Sequence, residues 1–406
     1  MDRRSFLKLT AAAALAGVGQ HKASAKGLRV VVAGAGIVGA SIAYQLAKAG
    51  AVVTVIDKEG PATHASRGTF AWINATWAKQ PRHYHELSQD GLESWKTFQS
   101  ALSLPIRWGG SLEWFDGEAR QQRLVEQIAE QVEWGEPARM IDENEFKDLE
   151  PHVKIPEGLV AAYSPNDGAI DPVMATRKLL DAATALGARV IFPSTLIGTS
   201  MVKGRLSSVQ ISGGHIPADR LILATGAEAQ LPQQISGLEI PQRSTPGVIV
   251  ITKPMPRLLN RIIVAPGVHI HQREDGRIVL GEQAGAPNTE AHSQRLRNRP
   301  NVFPDEAIAH QHGGRILASA FGFVPDIRRA EIESVYIGWR PLPLDGHPVL
   351  GVNPEQPDVY LAIMHSGVSL APIVGQLVAQ ELSEGVAIDQ LAPYRPTRTF
   401  QRVERY

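Results

Sequence analysis

Apolar residues near the start of the chain form two short runs separated by a longer stretch with helical spacing. The runs lie at residues 30–32 and 52–56, and both are rich in valine. Short β-branched runs predict buried strands, and apolar residues three and four apart predict a helix between them. Residues 28–57 (LRVVVAGAGIVGASIAYQLAKAGAVVTVID) therefore predict a strand–helix–strand unit with parallel strands.

The same periodicity predicts amphipathic helices at 84–101 and 118–133, with an alternating strand pair at 106–115 between them. Asp171 and Pro172 have the N-cap and first-turn pattern of a helix that ends at Gly187. The later elements follow in the order strands 189–192 and 220–224, a β-rich region 247–282, helix 304–317, strands 334–339 and 359–364, and helix 370–384. Nucleotide-type elements thus recur at the start, middle and end, so we expect discontinuous domains.

Three glycines turn the first unit into a candidate dinucleotide site. Gly34, Gly36 and Gly39 have the G-x-G-x-x-G spacing and stand between the first strand and its helix. These positions suit a tight turn, a close approach of backbone to a pyrophosphate, and helix-on-strand packing. Asp57 closes the second strand, where a carboxylate can bind a ribose 2′-hydroxyl. A nucleotide-free α/β unit is the alternative interpretation, and the unit alone fits NAD as well as FAD.

Composition narrows the class of protein. The chain has 406 residues, 43% of them hydrophobic, which is enough for a large core and two domains. It has no cysteine, which excludes disulfides, thiol nucleophiles, cysteine-bound metals and cysteinyl flavin links. With 41 basic and 41 acidic residues it has no excess charge that would indicate a nucleic-acid partner.

Residues 1–25 resemble a twin-arginine export signal. Arg3 and Arg4 precede an apolar stretch at 9–19 and an A-x-A-like cleavage site that ends at Ala25. This stretch is about half of the roughly 20 residues that span a bilayer, which argues against an uncleaved anchor. Its removal takes away four basic residues and one acidic residue, leaving 37 and 40 and a net charge of −3. The implied destination is the bacterial periplasm; a disordered basic N-terminus is the alternative.

Three motifs downstream decide between the two dinucleotides. They are GWRP at 338–341, continuing as LPLDGHPVLG to Gly351; MHSGV at 364–368; and ADRLILATG at 218–226. In this order, and together with the glycine fingerprint, they resemble the D-amino-acid oxidase family of flavoproteins, which includes glycine oxidases, sarcosine oxidases and D-amino-acid dehydrogenases. The resemblance covers about residues 28–388 and implies FAD.

The resemblance implies a mixed α/β fold with a Rossmann-like FAD-binding domain and a discontinuous, β-rich substrate domain. After the signal peptide at 1–25, the FAD-binding domain would comprise 28–82, 150–240 and 325–388. The substrate domain would comprise 83–149 and 241–324, and residues 389–406 would form a C-terminal tail.

The family pattern also implies site residues. Arg340 would bind the substrate carboxylate, a task that suits the two parallel hydrogen bonds of a guanidinium; an interdomain salt bridge is the alternative. His64 does not align with the histidine that links FAD in some relatives, so non-covalent FAD is expected. The implied FAD contacts are Gly34, Gly36, Ile37, Val38, Gly39, Asp57, Lys58, Thr63, Ala65, Ser66, Arg67, Leu196 (through its backbone), Thr225, Gly226, Ser366, Gly367, Val368, Ser369 and Leu370.

No metal site is predicted. His269 and His271 have the H-x-H spacing but lack nearby acidic or cysteine partners in sequence, so we interpret them as a polar strand face. Trp339 fits a flavin or substrate contact as well as core packing.

The implied reaction is oxidation of a carbon–nitrogen bond by hydride transfer to flavin N5, as in D-amino-acid dehydrogenases. Sarcosine-oxidase relatives use a lysine near the flavin to activate oxygen, whereas residues 268–281 contain none. Together with the export signal, the missing lysine favours a quinone or another redox carrier as the electron acceptor. We expect no integral membrane segment after signal cleavage. A peroxide-forming amine oxidase, a 2-hydroxy-acid dehydrogenase and a non-enzymatic flavin protein remain alternatives.

Overall fold

The computed structural model describes residues 25–76, 79–282 and 300–403. The predicted export signal, apart from Ala25, lies outside the described residues. Ala25 itself is buried, and its amide donates a hydrogen bond to the Ala49 carbonyl oxygen.

The predicted strand–helix–strand unit lies at the centre of a six-stranded sheet in the order β19-β20-β13-β1-β2-β9. Its neighbouring strands are parallel except for the antiparallel pair β19–β20. The strands are β1 (Arg29–Ala33), β2 (Val52–Ile56), β9 (Arg189–Ile191), β13 (Arg220–Leu223), β19 (Val349–Asn353) and β20 (Gln356–Ile363). This confirms the Rossmann-like half of the predicted fold.

Both faces of this sheet are covered, as parallel strands require. Val30 and Val32 pack in a core with the helices, whereas Val31 and Ala33 face a separate core on the other side. The helices of the first face are α1 (Ile37–Lys48), α2 (Arg82–Leu102), α5 (Pro172–Ala185) and α8 (Gly367–Glu384). The other face is covered by α6 (Gln230–Ser236) and a small antiparallel sheet of β10 (Leu196–Val202), β11 (Arg205–Ile211) and β12 (Gly214–Pro217).

A second, eight-stranded sheet forms the β-rich part in the order β18-β14-β17-β16-β15-β5-β7-β6. Its pairs are antiparallel except β15–β5. The strands are β5 (Ser111–Glu113), β6 (Arg139–Ile141), β7 (Ala161–Ser164), β14 (Gln242–Thr252), β15 (Ile262–Ala265), β16 (Val268–Gln272), β17 (Ile278–Glu282) and β18 (Ile332–Pro343). Such a sheet can bury one face and leave the other for a site.

Alternation along these strands separates the two faces. Val250, Ile270 and Leu280 pack on one side in an apolar core shared with α7 (Glu306–Ser319) and α4 (Glu143–Leu149). The opposite face carries residues of smaller clusters that pack against Phe70 and Trp72. This second face is turned toward the six-stranded sheet.

Both strands predicted within 106–115 exist, but their pairing with each other was wrong. Gly109 and Gly110 both have positive φ and redirect the chain, so its two halves enter different sheets. The first half, β4 (Arg107–Trp108), joins a three-stranded sheet with β3 (Trp72–Ile73) and β8 (Gly168–Ala169), and β5 joins the eight-stranded sheet. The remaining helix, α3 (Glu118–Glu133), matches its predicted bounds.

Three elements pack with the sheet of one domain although their residues were predicted to belong to the other domain. Helix α2 buries Tyr84, Leu87 and Trp95 against the six-stranded sheet's core because its apolar stripe faces that way. Strands β7 and β18 pair within the eight-stranded sheet. The domain boundaries themselves stay a prediction. Across the part of the chain that the structure describes, no helix has the length and apolarity to cross a bilayer.

Candidate functional site

A cavity of about 1070 Å³ separates the two large sheets. Ligand pockets commonly measure about 300–1,000 Å³, so this one is large enough for a cofactor together with a small substrate. Its wall includes the start of α1, the start of α8, the loop at 65–72 and strand β18. The predicted motifs, which are hundreds of residues apart in sequence, thus meet at one place.

The glycine fingerprint forms a tight crossing between β1 and α1. Gly34 has a φ of +113°, and a Cβ there would lie 2.3 Å from the Ala224 carbonyl oxygen. A Cβ at Gly39 would lie 2.0 Å from the Gly34 carbonyl oxygen. These two glycines permit the turn and the packing, while Gly36, as N-cap of α1, faces the cavity.

The Asp57 carboxylate accepts hydrogen bonds from backbone amides at the same turn. Its Oδ2 accepts a hydrogen bond from the Ala35 amide at 2.8 Å, and its Oδ1 accepts from the Glu59 and Gly60 amides. The carboxylate therefore stands beside the fingerprint, at the end of β2, where a ribose hydroxyl is expected. Its side chain is not among the residues that line the cavity.

The loop after β2 crosses β18 directly. A Cβ at Gly338 would lie 1.9 Å from the Gly68 carbonyl oxygen, so the two backbones touch. Ser66, in the same loop, accepts a hydrogen bond from the Ile37 amide at the start of α1. The crossing therefore ties the eight-stranded sheet to the fingerprint.

Arg340 follows this crossing on β18 and lines the cavity. Its backbone pairs with Thr245, and its guanidinium lies against Gly247, where an added Cβ would be 2.8 Å from a terminal nitrogen. The glycine on β14 thus leaves room for the guanidinium on the cavity face of the sheet.

A family model described as FAD dependent oxidoreductase (DAO) matches residues 29–381. The chain belongs to this family. It is an FAD-dependent enzyme of the class that oxidises carbon–nitrogen bonds of amino acids and amines.

Individual relatives extend over nearly the whole chain. Glycine oxidase of Geobacillus kaustophilus is 24% identical over 388 residues, covering 92% of this chain and 98% of that protein. The solved glycine oxidase of G. kaustophilus aligns with a TM-score of 0.81 at 23% identity, covering 92% of this chain and 100% of that one. The L-proline dehydrogenase of P. horikoshii aligns with a TM-score of 0.79 at 24% identity, covering 91% and 97%. They confirm the two-domain fold.

The donors around the cavity fit FAD. Helices α1 and α8 both begin at the cavity, neither N-cap side chain accepts a hydrogen bond from its own helix, and neither first turn contains an acidic residue. Such helix ends favour negative charge and present amide donors, of which the Ile37 amide donates to Ser66 Oγ here. Gly36, Ile37 and Val38 would hold the diphosphate, and Gly367 and Val368 would face the flavin ring.

The predicted FAD contacts divide into two groups, and their roles stay predictions. Those that line the cavity are Gly36, Ile37, Val38, Ala65, Ser66, Gly226, Ser366, Gly367, Val368 and Ser369. Those outside its lining are Gly34, Gly39, Asp57, Lys58, Thr63, Arg67, Leu196, Thr225 and Leu370. Several of the latter have local roles: Thr63 donates to Gly60 O, Arg67 lies over the Tyr336 ring, and Leu196 and Leu370 are buried in cores.

Sequence reasoning missed several polar side chains of the cavity, among them Lys79, Glu113 and Arg120, and it did not place His269 there. His269 does lie on a strand face with polar residues, but that face lines the cavity. Burial and the nearby guanidiniums of Arg340 and Arg120 lower the pKa of His269 to about 3, so the ring is neutral at neutral pH. The alternation of polar residues in β16 was the sequence signal that could have indicated a polar face lining the cavity.

Lys79 is a buried lysine at the start of α8. Its ammonium donates a hydrogen bond to Ser366 Oγ at 3.0 Å and lies 5.2 Å from the centre of the Tyr84 ring. Ser366 has a left-handed backbone conformation and is the N-cap of α8. A lysine therefore does reach the expected flavin position, but from an element outside residues 268–281.

Proposed function

We propose that the protein oxidises the C–N bond of an amino acid or secondary-amine carboxylate and passes the electrons to a quinone or other redox carrier. The observation that carries this proposal is the position of Arg340 in the cavity that the starts of α1 and α8 share. A fixed cation at that place can hold a substrate carboxylate against the cofactor.

The residues of the chain would act mainly by positioning. Arg340 would bind the carboxylate through two parallel charge-assisted hydrogen bonds, which fix orientation as well as affinity. The bound flavin supplies the chemistry by accepting two electrons together with the α-hydrogen. The resulting imine would take up water and yield a carbonyl product and the amine.

Two further features would assist. The start of α8 would stabilise negative charge on the reduced ring through its amides and dipole. Phe70, Trp72 and Trp339 line the cavity and exclude water around the reacting bond. His269 is neutral, so it can accept a hydrogen bond without repelling a substrate ammonium.

The test is anaerobic bleaching of the purified flavoprotein with amino acids, N-methyl amino acids, cyclic imino acids and 2-hydroxy acids. We expect bleaching by a member of the amine classes. Bleaching by hydroxy acids alone would instead establish a 2-hydroxy-acid dehydrogenase, and an unbleached flavin throughout would indicate a binding protein.

Arg340→Ala should raise the substrate concentration for half-maximal bleaching by about 10- to 100-fold, the effect of losing a charge-assisted pair. Arg340→Lys keeps the charge without the bidentate geometry, so its substrate concentration for half-maximal bleaching should lie between those of wild type and Arg340→Ala. The flavin spectrum of each variant controls for cofactor binding. Equal bleaching curves for wild type and Arg340→Ala would refute the carboxylate role.

A peroxide-forming oxidase is the second candidate, and the position of Lys79 favours it. A buried ammonium beside the flavin position can stabilise a developing anion when oxygen is reduced. Peroxide release in air that matches substrate loss would establish the oxidase. Turnover that requires an added quinone or dye would establish the dehydrogenase.

We also propose that the protein acts in the periplasm after twin-arginine export, and that FAD is bound non-covalently. The support is the sequence of residues 3–25 and the placement of His64, which hydrogen-bonds Asn301 and Glu59. Acid precipitation should release free FAD into the supernatant.

A further inference from the structure

Two further arginines, Arg120 and Arg243, share the cavity with Arg340, and of these Arg120 has a charge that acts on His269. Arg120 lies in the first turn of α3 and lines the same cavity, together with His269. After burial, the guanidiniums of Arg340 and Arg120 are the groups that lower the pKa of His269.

Strand register places the two arginines on opposite sides of His269. Glu113 on β5 pairs with Val264 on β15, which pairs with His269 on β16. At about 4.8 Å between neighbouring strands, Glu113 and His269 are about 10 Å apart across the sheet. Arg120 lies beyond the end of β5, where its guanidinium carbon is 4.1 Å from the centre of the Phe115 ring. Arg340 approaches from β18, across β14 and β17.

The charge of Arg120 is not neutralised by a protein carboxylate in the described chain. Its recorded contact is with the Phe115 ring, whose centre lies 4.1 Å from the guanidinium carbon, and no ion pair to it occurs among residues 25–76, 79–282 and 300–403. Burial, reinforced by Asp167, raises the pKa of Glu113 well above its usual range, although Arg120 opposes this. This shift favours the uncharged form of Glu113, and Arg120 lines the cavity.

We propose that Arg120 is a second carboxylate-binding residue, so that the substrate is an amino or imino acid with two carboxylates, one held by Arg340 and one by Arg120. The oxidised C–N bond lies between them and near His269. The choice of an amine substrate rests on the proposed function; the second anion subsite does not. A cavity in which two guanidiniums each bind a carboxylate discriminates by charge number as well as by size.

The first experiment measures binding without turnover. Glutarate and butyrate, neither of which carries an oxidisable amine, are titrated into the holoenzyme by calorimetry. Wild type should bind glutarate about 10- to 100-fold more tightly than butyrate, since a second charge-assisted contact forms. Equal affinities in wild type would overturn the proposal without the need for any variant.

The variants then assign the preference to one side chain. Arg120→Gln should weaken glutarate binding by about 10- to 100-fold and leave butyrate nearly unchanged, and Arg120→Lys should retain part of the preference. Arg123→Gln is the matched control, because Arg123 is exposed on the same helix. Loss of both ligands to the same extent in Arg120→Gln and Arg120→Lys would show a structural role and refute the subsite.

The second experiment uses turnover. Iminodiacetate and sarcosine differ by one carboxylate on the N-substituent, and their rates of anaerobic bleaching are compared in wild type and Arg120→Gln. A preference for iminodiacetate that disappears in the variant supports the proposal; a preference that persists contradicts it. If no amine bleaches the flavin, the proposed function fails, while the glutarate result still decides the subsite.

Discussion

Asp167 shows how a single buried carboxyl can make the stability of this enzyme depend on pH. Its Oδ2 accepts hydrogen bonds from Ser111 Oγ at 2.6 Å and from Trp72 Nε1 at 2.8 Å, while its Oδ1 has no partner. Burial raises the pKa of Asp167 to about 7; Ser111, Trp72 and Lys79 oppose the shift and Glu136 adds to it. Trp72 and Lys79 both line the cavity, so this carboxyl supports the wall of the site.

Asp167→Asn should remove this dependence. Between about pH 4 and pH 7 the folded wild type keeps a proton that the unfolded chain has released, so its stability falls as pH rises, by up to about 1.4 kcal/mol per unit. The amide keeps an oxygen for Ser111 and Trp72 but does not ionise. The variant should therefore gain stability relative to wild type from pH 5 to pH 7, and the difference should level off above pH 7.

Urea denaturation at pH 5, 6, 7 and 8 measures this difference. Asp116→Asn, at an exposed loop position, is the control and should differ from wild type by a constant amount. A constant difference for Asp167→Asn as well would contradict the proton held by the buried carboxyl.

Residue types at fixed spacing were the predictable part of the site. Gly34, Gly36 and Gly39 act within a few residues of one another, so their spacing alone predicts the turn. Glu113 and His269 are 156 positions apart in the chain and become near neighbours only through the register of β5, β15 and β16. No local pattern encodes that register. For this reason the sequence did not predict that Glu113 and His269 line the cavity together.

At the scale of elements, the contact between the loop at 63–70 and β18 joins the two sheets. Gly68 and Gly338 meet backbone to backbone, since a Cβ on Gly68 would lie 2.4 Å from the Gly338 Cα. Arg340 lies two residues beyond this contact on the same strand face. The orientation of Arg340 therefore depends on a crossing that has no space for a side chain.

Gly338→Ala should damage both stability and the site. The added methyl would overlap the Gly68 carbonyl oxygen, and overpacking of this kind costs about 1–3 kcal/mol or more. We expect a lower melting temperature and weaker FAD retention, measured by thermal denaturation and by flavin absorbance after dialysis.

Gly314→Ala is the matched control for this substitution. Gly314 lies inside α7, and an added Cβ would meet no atom within 4 Å. Alanine should stabilise that helix by about 0.5–1 kcal/mol. If Gly338→Ala melted no lower than wild type and retained FAD, the backbone crossing would have no part in joining the sheets.

The long helices and the strands of the first unit were predicted well because each has its own periodicity, whereas the short helices α4 and α6 were not predicted. The bounds of α3 match those expected from its apolar stripe, and β2 matches its valine-rich run. The strand pair at 106–115 failed because the alternation shows that strands exist but not which strands they pair with. Gly110 donates to the Asp167 carbonyl oxygen, and β4 pairs with β8, a partner about 60 residues away.

At the scale of the whole molecule, the FAD-binding half is assembled from distant parts of the chain. Strand β1 pairs with β2 and with β13, and β13 pairs with β20. The cofactor site is therefore complete only after nearly the entire chain has folded. The absence of cysteine from the sequence means that no disulfide has to form in an oxidising compartment. FAD loading before the proposed export would require most of the chain to have folded first.

Substitution of Arg3 and Arg4 tests whether the protein is exported from the cytoplasm. Replacing both by lysine keeps the charge of the N-terminus, so attraction to an anionic membrane surface is unchanged, but removes the guanidinium pair of the predicted signal. In a bacterial host we expect the wild type in the periplasmic fraction with FAD bound, and the Arg3→Lys/Arg4→Lys variant in the cytoplasmic fraction, also with FAD bound. Flavin fluorescence of each fraction measures both properties at once. The same distribution for the two proteins would refute twin-arginine export, while flavin present only in the exported fraction would show that the cofactor binds after transport.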